Sequence, residues 1–292
     1  MNATALSFVL VSAVVHAYWN LAAKRVGFGG VRFVWAHYSV SAIAVVPIVA
    51  VVLVLGLERP RWSWMLAGMI TALLHVAYAI VLQRGYAVGD LSVVYPLARG
   101  TGPLLSVPAA VLLLGERPGW LGLLGAALIV AGVFVICASR SNIVKPVASP
   151  QALRAGVGYG ALTGAVIACY TLWDAYSVTT LDVPPLVYFG IGTIMQSLLL
   201  TPFAMNDRRQ VGQLWREHRR EVLIVGLLSP VAYLLVLFAL RMAPVSLVAP
   251  AREVSIVLGG LAAWLVLKEA NAVRRLVGSA VVLAGIVAIA VT

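Results

Sequence analysis

Apolar runs of about 20 residues, each long enough to cross the hydrocarbon core of a bilayer, recur along the whole chain. Hydrophobic residues make up 62% of the sequence and charged residues only 11%, which is more apolar surface than a soluble domain of 292 residues could bury. The sequence therefore predicts an all-α membrane protein. We expect ten transmembrane helices, at roughly 3–22, 33–57, 62–84, 91–114, 119–139, 153–177, 184–205, 221–241, 245–267 and 273–291.

The positive charges are distributed unevenly among the predicted loops. Most of the 21 lysines and arginines follow odd-numbered spans, and few follow even-numbered ones. Cytoplasmic loops are enriched in Lys and Arg, so we expect the odd-numbered loops in the cytoplasm and both termini outside. Membrane topology thus accounts for the net charge of +11, and no nucleic-acid partner is expected.

The second half of the chain repeats landmarks of the first at an offset of 153 to 155 residues. Each copy has five predicted spans, and an odd number makes the second copy enter the membrane from the opposite side. Such inverted five-helix repeats are typical of secondary transporters, whose substrate site lies near the bilayer midplane between the repeats. We expect repeats at 1–139 and 153–292, joined by a linker at 140–152. The matched landmarks are Trp19 with Trp173, Tyr78 with Tyr233, Ser92 with Ser246, Pro96 with Pro250, Arg99 with Arg252, Glu116 with Glu269, Gly125 with Gly278, and Gly132 with Gly285.

Two segments resemble one known family. The first is GDLSVVYPLARGTGPLLSVPAAVLLLGERPGWLGLLGAALIVAGV in spans 4 and 5, and the second is SLVAPAREVSIVLGGLAAWLVLKEANAVRRLVGSAVVLAGI in spans 9 and 10. Each resembles the EamA domain of the drug/metabolite transporter superfamily, and HAYWNLAAK in span 1 is similar to it as well. The resemblance implies a ten-helix carrier of the inner membrane, often an exporter of amino acids or other small metabolites.

Arg99 and Arg252 lie far inside predicted spans. Arg99 would lie about 12 Å along span 4 and Arg252 about 10 Å along span 9. A guanidinium at that depth costs on the order of 3 kcal/mol or more unless it faces water, a partner or a ligand. We therefore expect both arginines to line a polar cavity shared by the two halves.

A proline precedes each arginine. Pro96 and Pro250 each remove a helical hydrogen bond and free the carbonyl four residues earlier, at Ser92 and Ser246. Irregular backbone within a membrane is tolerated where it lines a cavity or is buried in protein. These four residues are therefore expected to break the helices beside the cavity.

Glu253 and Asp174 are the carboxylates expected near the arginines. One hypothesis is a structural network of four fixed charges. The other is a site for a zwitterion such as an amino acid, in which an arginine binds the carboxylate through its planar fork and an acid binds the amine. Asp174 could also carry a coupling proton, because burial favours the neutral acid.

Further polar and aromatic residues share helix faces or repeat positions with these charges. They could line the cavity, and they could equally serve in packing, interhelical hydrogen bonds or interfacial anchoring. The candidates are His16, Trp19, Asn20, Tyr78, Tyr95, Trp173 and Tyr233. Glu116 and Glu269 are expected at the membrane surface, where they fix the turn to the next span. The four repeated glycines predict close helix packing within the chain or between two chains, so a homodimer stays open.

The sequence contains no HExxH, CxxC, P-loop or nucleophile elbow. We therefore expect no cofactor, no metal and no enzymatic reaction. The predicted function is alternating-access export of a small amino-acid-like or carboxylate-bearing metabolite. One alternative is a proton- or ion-coupled importer of an anionic or zwitterionic solute. A distant one is an intramembrane enzyme on a lipid-linked substrate, for which His16 and Asp174 would be the pair to test.

Overall fold

The computed structural model describes residues 1–26, 30–56, 58–89, 91–138, 150–258 and 272–292. Regular structure in these ranges is entirely helical. Most of the predicted linker, the second part of span 9 and Glu269 lie outside the described residues. The helices are α1 (Ala3–Arg25), α2 (Gly30–Val54), α3 (Trp62–Val88), α4 (Leu91–Leu113), α5 (Gly119–Ala138), α6 (Pro150–Thr179), α7 (Pro185–Met205), α8 (Arg208–Leu240), α9 (Val245–Ala251) and α10 (Ala272–Ala290).

Seven of the helices in the described ranges are long and apolar enough to cross a membrane, namely α1, α2, α3, α5, α6, α7 and α8. The last helix, α10, contains a shorter apolar stretch, Leu276–Ala290. Their side chains are apolar nearly all round, as expected for helices surrounded by lipid and other helices. The chain is therefore a multi-pass all-α membrane protein, as the apolar runs predicted.

Helix α8 combines a surface segment with a spanning one. The Asp207 side chain caps the helix by accepting the backbone N–H of Gln210 at 3.1 Å. His218 interrupts the helix with non-helical dihedrals, φ −131° and ψ 21°. Residues 208–217 carry mostly exposed polar side chains, whereas the apolar part follows the kink. The polar segment between the predicted spans 7 and 8 thus forms the first part of α8.

Helices from the two halves of the chain pack on one another. α1 packs along α8, and α6 packs along α3. α2 contacts α8 as well, and α7 contacts α3. Other pairs also join the halves, and the most extensive of them are α5 with α10, α4 with α6, and α2 with α7. The buried apolar core is therefore built mainly between the halves.

The α5–α10 contact depends on glycines that the sequence repeats. A Cβ atom at Gly125 would lie 2.7 Å from the carbonyl oxygen of Gly285, and one at Gly132 would lie 2.7 Å from that of Gly278. Because residue numbers rise along α5 as the partner numbers fall along α10, the two helices are antiparallel. The repeated glycines thus allow close backbone packing within one chain.

Candidate functional site

A cavity of about 160 Å³ lies among α1, α2, α3, α4, α6, α7, α8 and the segment after α9. Its wall combines cationic, hydroxyl and aromatic side chains, which is the composition expected of a site for a small polar ligand. Polar and aromatic lining residues are Ser12, His16, Trp19, His37, Tyr38, Thr71, His75, Tyr78, Arg99, Tyr170, Tyr188, Phe189, Thr193, Gln196, Ser229, Tyr233, Arg252 and Ser255.

Arg99 reaches the cavity from α4 with its charge already paired. Its Nε lies 3.1 Å from Oε2 of Glu253, and its Nη2 donates to Oγ of Ser255 at 3.3 Å. The Arg99 and Glu253 side chains are 14% and 7% exposed. The Nε–Oε2 contact has an ion-pair distance but not the angle of a hydrogen bond, so the attraction is mainly Coulombic. This pair joins α4 of the first half to the segment after α9 of the second.

Arg252 lines the same cavity and has no ion-pair or hydrogen-bond partner for its guanidinium among the described residues. It lies where the helix of span 9 is interrupted, directly after α9 ends at Ala251. Beyond that point the backbone N–H groups of Glu253, Ser255 and Ile256 donate to carbonyls three residues earlier, as in a 3₁₀ turn. The turn at Arg252 and Glu253 therefore presents Arg252 to the cavity and Glu253 to Arg99.

The start of α9 is held by a carboxylate from the first half of the chain. Both oxygens of Glu116 accept backbone N–H groups, from Val245 at 2.7 Å and from Ser246 at 2.9 Å. An anion at a helix N-terminus satisfies free donors and favours the helix dipole. Glu116 thus fixes the helix that carries Arg252, a more specific role than the turn-fixing role expected from the sequence.

Asp174 lies behind the cavity wall and is 2% exposed. Three hydroxyl groups donate to its carboxylate: Thr71 at 2.7 Å and Tyr188 at 2.6 Å to Oδ1, and Tyr233 to Oδ2. In the described part of the chain no cation forms an ion pair with Asp174. Its negative charge is therefore hydrogen-bonded but not neutralised by a neighbouring side chain.

His75 connects this carboxylate to the cavity. Its Nε2 lies 3.1 Å from the Tyr233 hydroxyl, and its Nδ1 lies 2.9 Å from the carbonyl oxygen of Thr71. The ring stacks on Tyr170, with centroids 4.3 Å apart. His75 and Tyr233 both line the cavity, so Asp174 is one hydroxyl away from a cavity-facing imidazole.

The predicted site residues divide into two groups. Six of them line the cavity: Arg99, Arg252, Tyr78, Tyr233, His16 and Trp19. The others lie outside the lining. Glu253 and Asp174 are buried behind it, Trp173 donates its Nε1–H to the Ala67 carbonyl at 3.1 Å, and Asn20 and Tyr95 are half-buried. Pro250 and Ser246 are buried in α9, whereas the side chains of Ser92 and Pro96 are outside the described atoms.

Several lining residues were not selected from the sequence. Tyr170 precedes Asp174 by four residues on one helix, so a helical-face argument could have found it. Tyr188 and Gln196 come from α7, which contains no buried charge to draw attention to it. The pairing of α7 with α3 brings them to the cavity, and that pairing is not encoded in any local motif.

Besides Nε of the ion-paired Arg99, three buried polar atoms of the wall have no hydrogen-bond partner within the described chain. They are the donor Nε1 of Trp19, Nδ1 of His37 and the acceptor Oε1 of Gln196. Buried polar groups in native proteins are nearly always paired, so each such atom requires an explanation. Together with the Arg252 guanidinium, the cavity offers unpaired donors and an unpaired acceptor to a ligand.

The chain belongs to the EamA-like transporter family, whose model matches residues 3–138 and again residues 154–291. A protein described as a probable terminal-alkyne amino-acid exporter, from Streptantibioticus cattleyicolor, is 27% identical over 201 residues. That match covers 64% of this chain and 66% of the relative, just under two thirds of the relative's length. A solved crystal structure superimposes with a TM-score of 0.77 at 17% identity, covering 99% of this chain and 96% of the other, which establishes the fold. The chain thus belongs to the family that its sequence resembles.

Proposed function

We propose that this transporter exports small amino acids, or amino-acid-like zwitterions, by alternating access around the cavity. The observation that carries the proposal is the unpaired guanidinium of Arg252 beside the ion-paired one of Arg99. Arg252 is half-buried, so its guanidinium is partly desolvated, and a bidentate carboxylate is the ligand that its planar fork fits. The unpaired Nε1–H of Trp19 is a second donor in the same wall.

The amino group of such a cargo has acceptors in the same cavity. Oε1 of Gln196 is buried and has no hydrogen-bond partner in the described ranges. Tyr78 and Tyr170 present aromatic faces, which attract ammonium groups. The negative charge of Asp174 lies behind Tyr233 and has no paired cation in the described structure. One small cavity thus has a guanidinium for a carboxylate and an acceptor and aromatic faces for an ammonium group. This combination favours a zwitterion over a simple anion.

The relative from Streptantibioticus cattleyicolor supports the same class of cargo, since its name describes an amino-acid exporter. Export, as the direction of transport, rests on that name and on the family. The transported amino acid of this chain is to be found by experiment, and an alkyne-bearing amino acid such as propargylglycine is a rational first probe.

We further propose that ten spans form two inverted five-helix repeats. Two sets of contacts support a two-fold relation between the halves. The repeat offset turns the contact of Gly125 with Gly285 into that of Gly278 with Gly132, and both contacts are present. It likewise turns the α1–α8 contact into α6–α3, and α2–α8 into α7–α3. The antiparallel α5–α10 pair supports an axis that lies across the helices, in the membrane plane.

The loop charges favour an orientation in the cell inner membrane with both termini outside. A reporter fused after Thr292 tests the orientation. An alkaline phosphatase fusion should be active and a green fluorescent protein fusion dark, and the reverse pattern would contradict it.

The function is tested by comparing amino acids in cells and medium with and without the protein, after loading with a panel that includes propargylglycine. Wild-type protein should lower the retained fraction of at least one amino acid. Arg252→Gln should abolish that effect, while Arg241→Gln should not, because Arg241 forms an exposed pair with Asp182 at 2.7 Å. Equal export by wild type and Arg252→Gln, with equal membrane amounts, would refute the proposal.

A further inference from the structure

The hydrogen-bond chain from Asp174 to His75 has one link more than the number of hydrogens that a neutral histidine and a tyrosine provide. It has three links: Asp174 Oδ2 to Tyr233 Oη, Tyr233 Oη to His75 Nε2, and His75 Nδ1 to the carbonyl of Thr71. Each link needs one hydrogen between its two heavy atoms. A neutral imidazole and a phenol supply only two.

The contacts of Nδ1 determine where those two hydrogens lie. Nδ1 of His75 lies 2.9 Å from the carbonyl oxygen of Thr71 and 3.1 Å from its hydroxyl oxygen. The carbonyl only accepts, and the hydroxyl hydrogen is donated to Oδ1 of Asp174, so Nδ1 must carry the imidazole hydrogen. Tyr233 then has a single hydrogen for two acceptors, a carboxylate oxygen and a bare Nε2. With Asp174 ionised and His75 neutral, one of the two contacts would set lone pair against lone pair.

One additional proton resolves the conflict in either of two ways. It can protonate Nε2 of His75, which then donates to Tyr233 while Tyr233 donates to the carboxylate. Alternatively it can sit on Oδ2 of Asp174, which donates to Tyr233 while Tyr233 donates to Nε2. The Oδ1 atom of Asp174 already receives Thr71 and Tyr188, so Oδ2 is the oxygen that remains. Both arrangements contain the same total number of protons.

The neighbouring charges determine what this proton competes with. The hydrogen-bond chain from Asp174 to His75 has two kinds of neighbour. The hydroxyl groups belong to Tyr78, Tyr170 and Tyr188. Of the two arginines, Arg99 is paired with Glu253 and Arg252 faces the cavity. In the part of the chain that is described, Asp174 is therefore the cavity-side carboxylate that lacks a cation. A zwitterionic cargo would place its carboxylate on Arg252 and bring an ammonium charge toward Asp174. A bound proton and that ammonium would compensate the same negative charge.

We infer that Asp174, Tyr233 and His75 form a proton-binding site holding one exchangeable proton, and that the ammonium group of the cargo displaces this proton into the cavity. The displacement part rests on the proposed function; the proton site does not. The exchange is balanced, because one proton leaves as one ammonium charge arrives. Binding that is mutually exclusive produces antiport, so proton influx would drive export. A proton-coupled importer would instead require the proton and cargo to bind together.

The proton site is tested without cargo, by infrared titration of the purified full-length protein in detergent. Wild type should show a carboxyl or histidine protonation band that disappears in Asp174→Asn and changes its midpoint in Tyr233→Phe. Asp182→Asn, which removes an exposed carboxylate, should leave the band unchanged. Tyr188→Phe removes a hydrogen bond to Oδ1 of Asp174 but none of the three links between Asp174 and His75. It is therefore the control for a general disturbance of the hydrogen bonds around Asp174. A wild-type band that persists in folded Asp174→Asn would overturn the inference.

The displacement is tested by proton release in weakly buffered detergent solution with a pH indicator. Binding of propargylglycine should release about one proton per cargo molecule in wild type, and none in Asp174→Asn. Its analogue without the amino group should release none. Proton uptake, or binding without release in wild type, would overturn antiport while leaving the proposed function intact. If no amino acid in the panel binds or is exported, the proposed function fails and displacement fails with it, whereas the infrared titration still decides the proton site.

Discussion

The buried pair of Arg99 and Glu253 joins the two halves of the chain, and its strength should be measurable as a coupling energy. At 3.1 Å, two unit charges attract by about 5 kcal/mol for an effective dielectric constant of about 20. The contact is not an aligned hydrogen bond, so no further directional contribution is expected. Desolvation of both groups offsets much of this attraction in the wild type.

Removing one member of the Arg99–Glu253 pair leaves the other buried without its counter-ion, so the desolvation cost is no longer offset. Glu253→Gln leaves the Arg99 guanidinium, 14% exposed, with the hydroxyl of Ser255 as its only hydrogen-bond partner among the described residues. Loss of one member of a buried pair destabilises by about 3–5 kcal/mol. Arg99→Gln should cost a similar amount because it leaves Glu253 unpaired. The double variant Arg99→Gln with Glu253→Gln should cost clearly less than the sum, by about 3 kcal/mol.

Thermal unfolding of the purified variants in one detergent measures this cycle. Each single substitution should lower Tm by about 5–10 °C, and the double variant should lie close to either single variant. Glu217→Gln, which changes an exposed carboxylate on the surface part of α8, should shift Tm by less than about 1 °C. Strictly additive shifts would refute the pair as a link between the halves.

Three further predictions concern helix caps and helix packing. Glu116→Gln should destabilise by about 1–2 kcal/mol because it removes the charge from both N–H contacts at the start of α9; an unchanged Tm would contradict the cap. Gly132→Ala should destabilise the protein by about 1–3 kcal/mol, since the added Cβ would meet the backbone of α10. Gly158→Ala is the control: no atom lies within 4 Å of its Cβ, so it should be neutral in the same unfolding assay. The backbone N–H of Gln210 lowers the pKa of Asp207, so the stability that this cap contributes is present above the unfolded-state pKa and is lost as pH falls through the folded-state pKa. The Tm difference between wild type and Asp207→Asn should therefore shrink in acid, and a difference that is constant with pH would contradict the assignment.

Much of the fold was predictable because lipid imposes simple length and composition rules. Helices α1, α3 and α7 begin and end within a few residues of the apolar runs. The surface part of α8 does not follow from the apolar runs, since the helix begins in a polar segment and continues through the kink at His218 into the apolar span. The repeat offset also identified Arg99 and Arg252, which share one cavity.

The hydrogen-bond network behind the wall could not be predicted. It brings Thr71 and His75 of α3, Asp174 of α6, Tyr188 of α7 and Tyr233 of α8 together. These residues are far apart in sequence, and their contacts follow from how α3, α6, α7 and α8 pack. The repeat relation is also broken here, because Asn20 stands where the second half has Asp174. Side chains that differ between the halves are the ones whose roles a repeat cannot predict.

The different states of the two arginines were not predictable either. Equivalent positions in the repeat suggested equivalent roles. Arg99 has a carboxylate because Glu253 follows Arg252 at the break after α9, whereas Gly100 follows Arg99 in the first copy. One copy therefore supplies both a cation for the cargo and the acid that neutralises the other cation.

The most direct measurement of the central claim is how strongly the purified protein distinguishes a cargo amino acid from its analogue without the carboxylate. Wild type should bind the amino acid about 10–100-fold more tightly, as expected for a charge-assisted bond to Arg252. In Arg252→Gln the two affinities should become nearly equal, while Arg241→Gln keeps the wild-type ratio. A ratio that Arg252→Gln leaves unchanged would contradict the assignment of the cavity's free guanidinium to the carboxylate of the cargo.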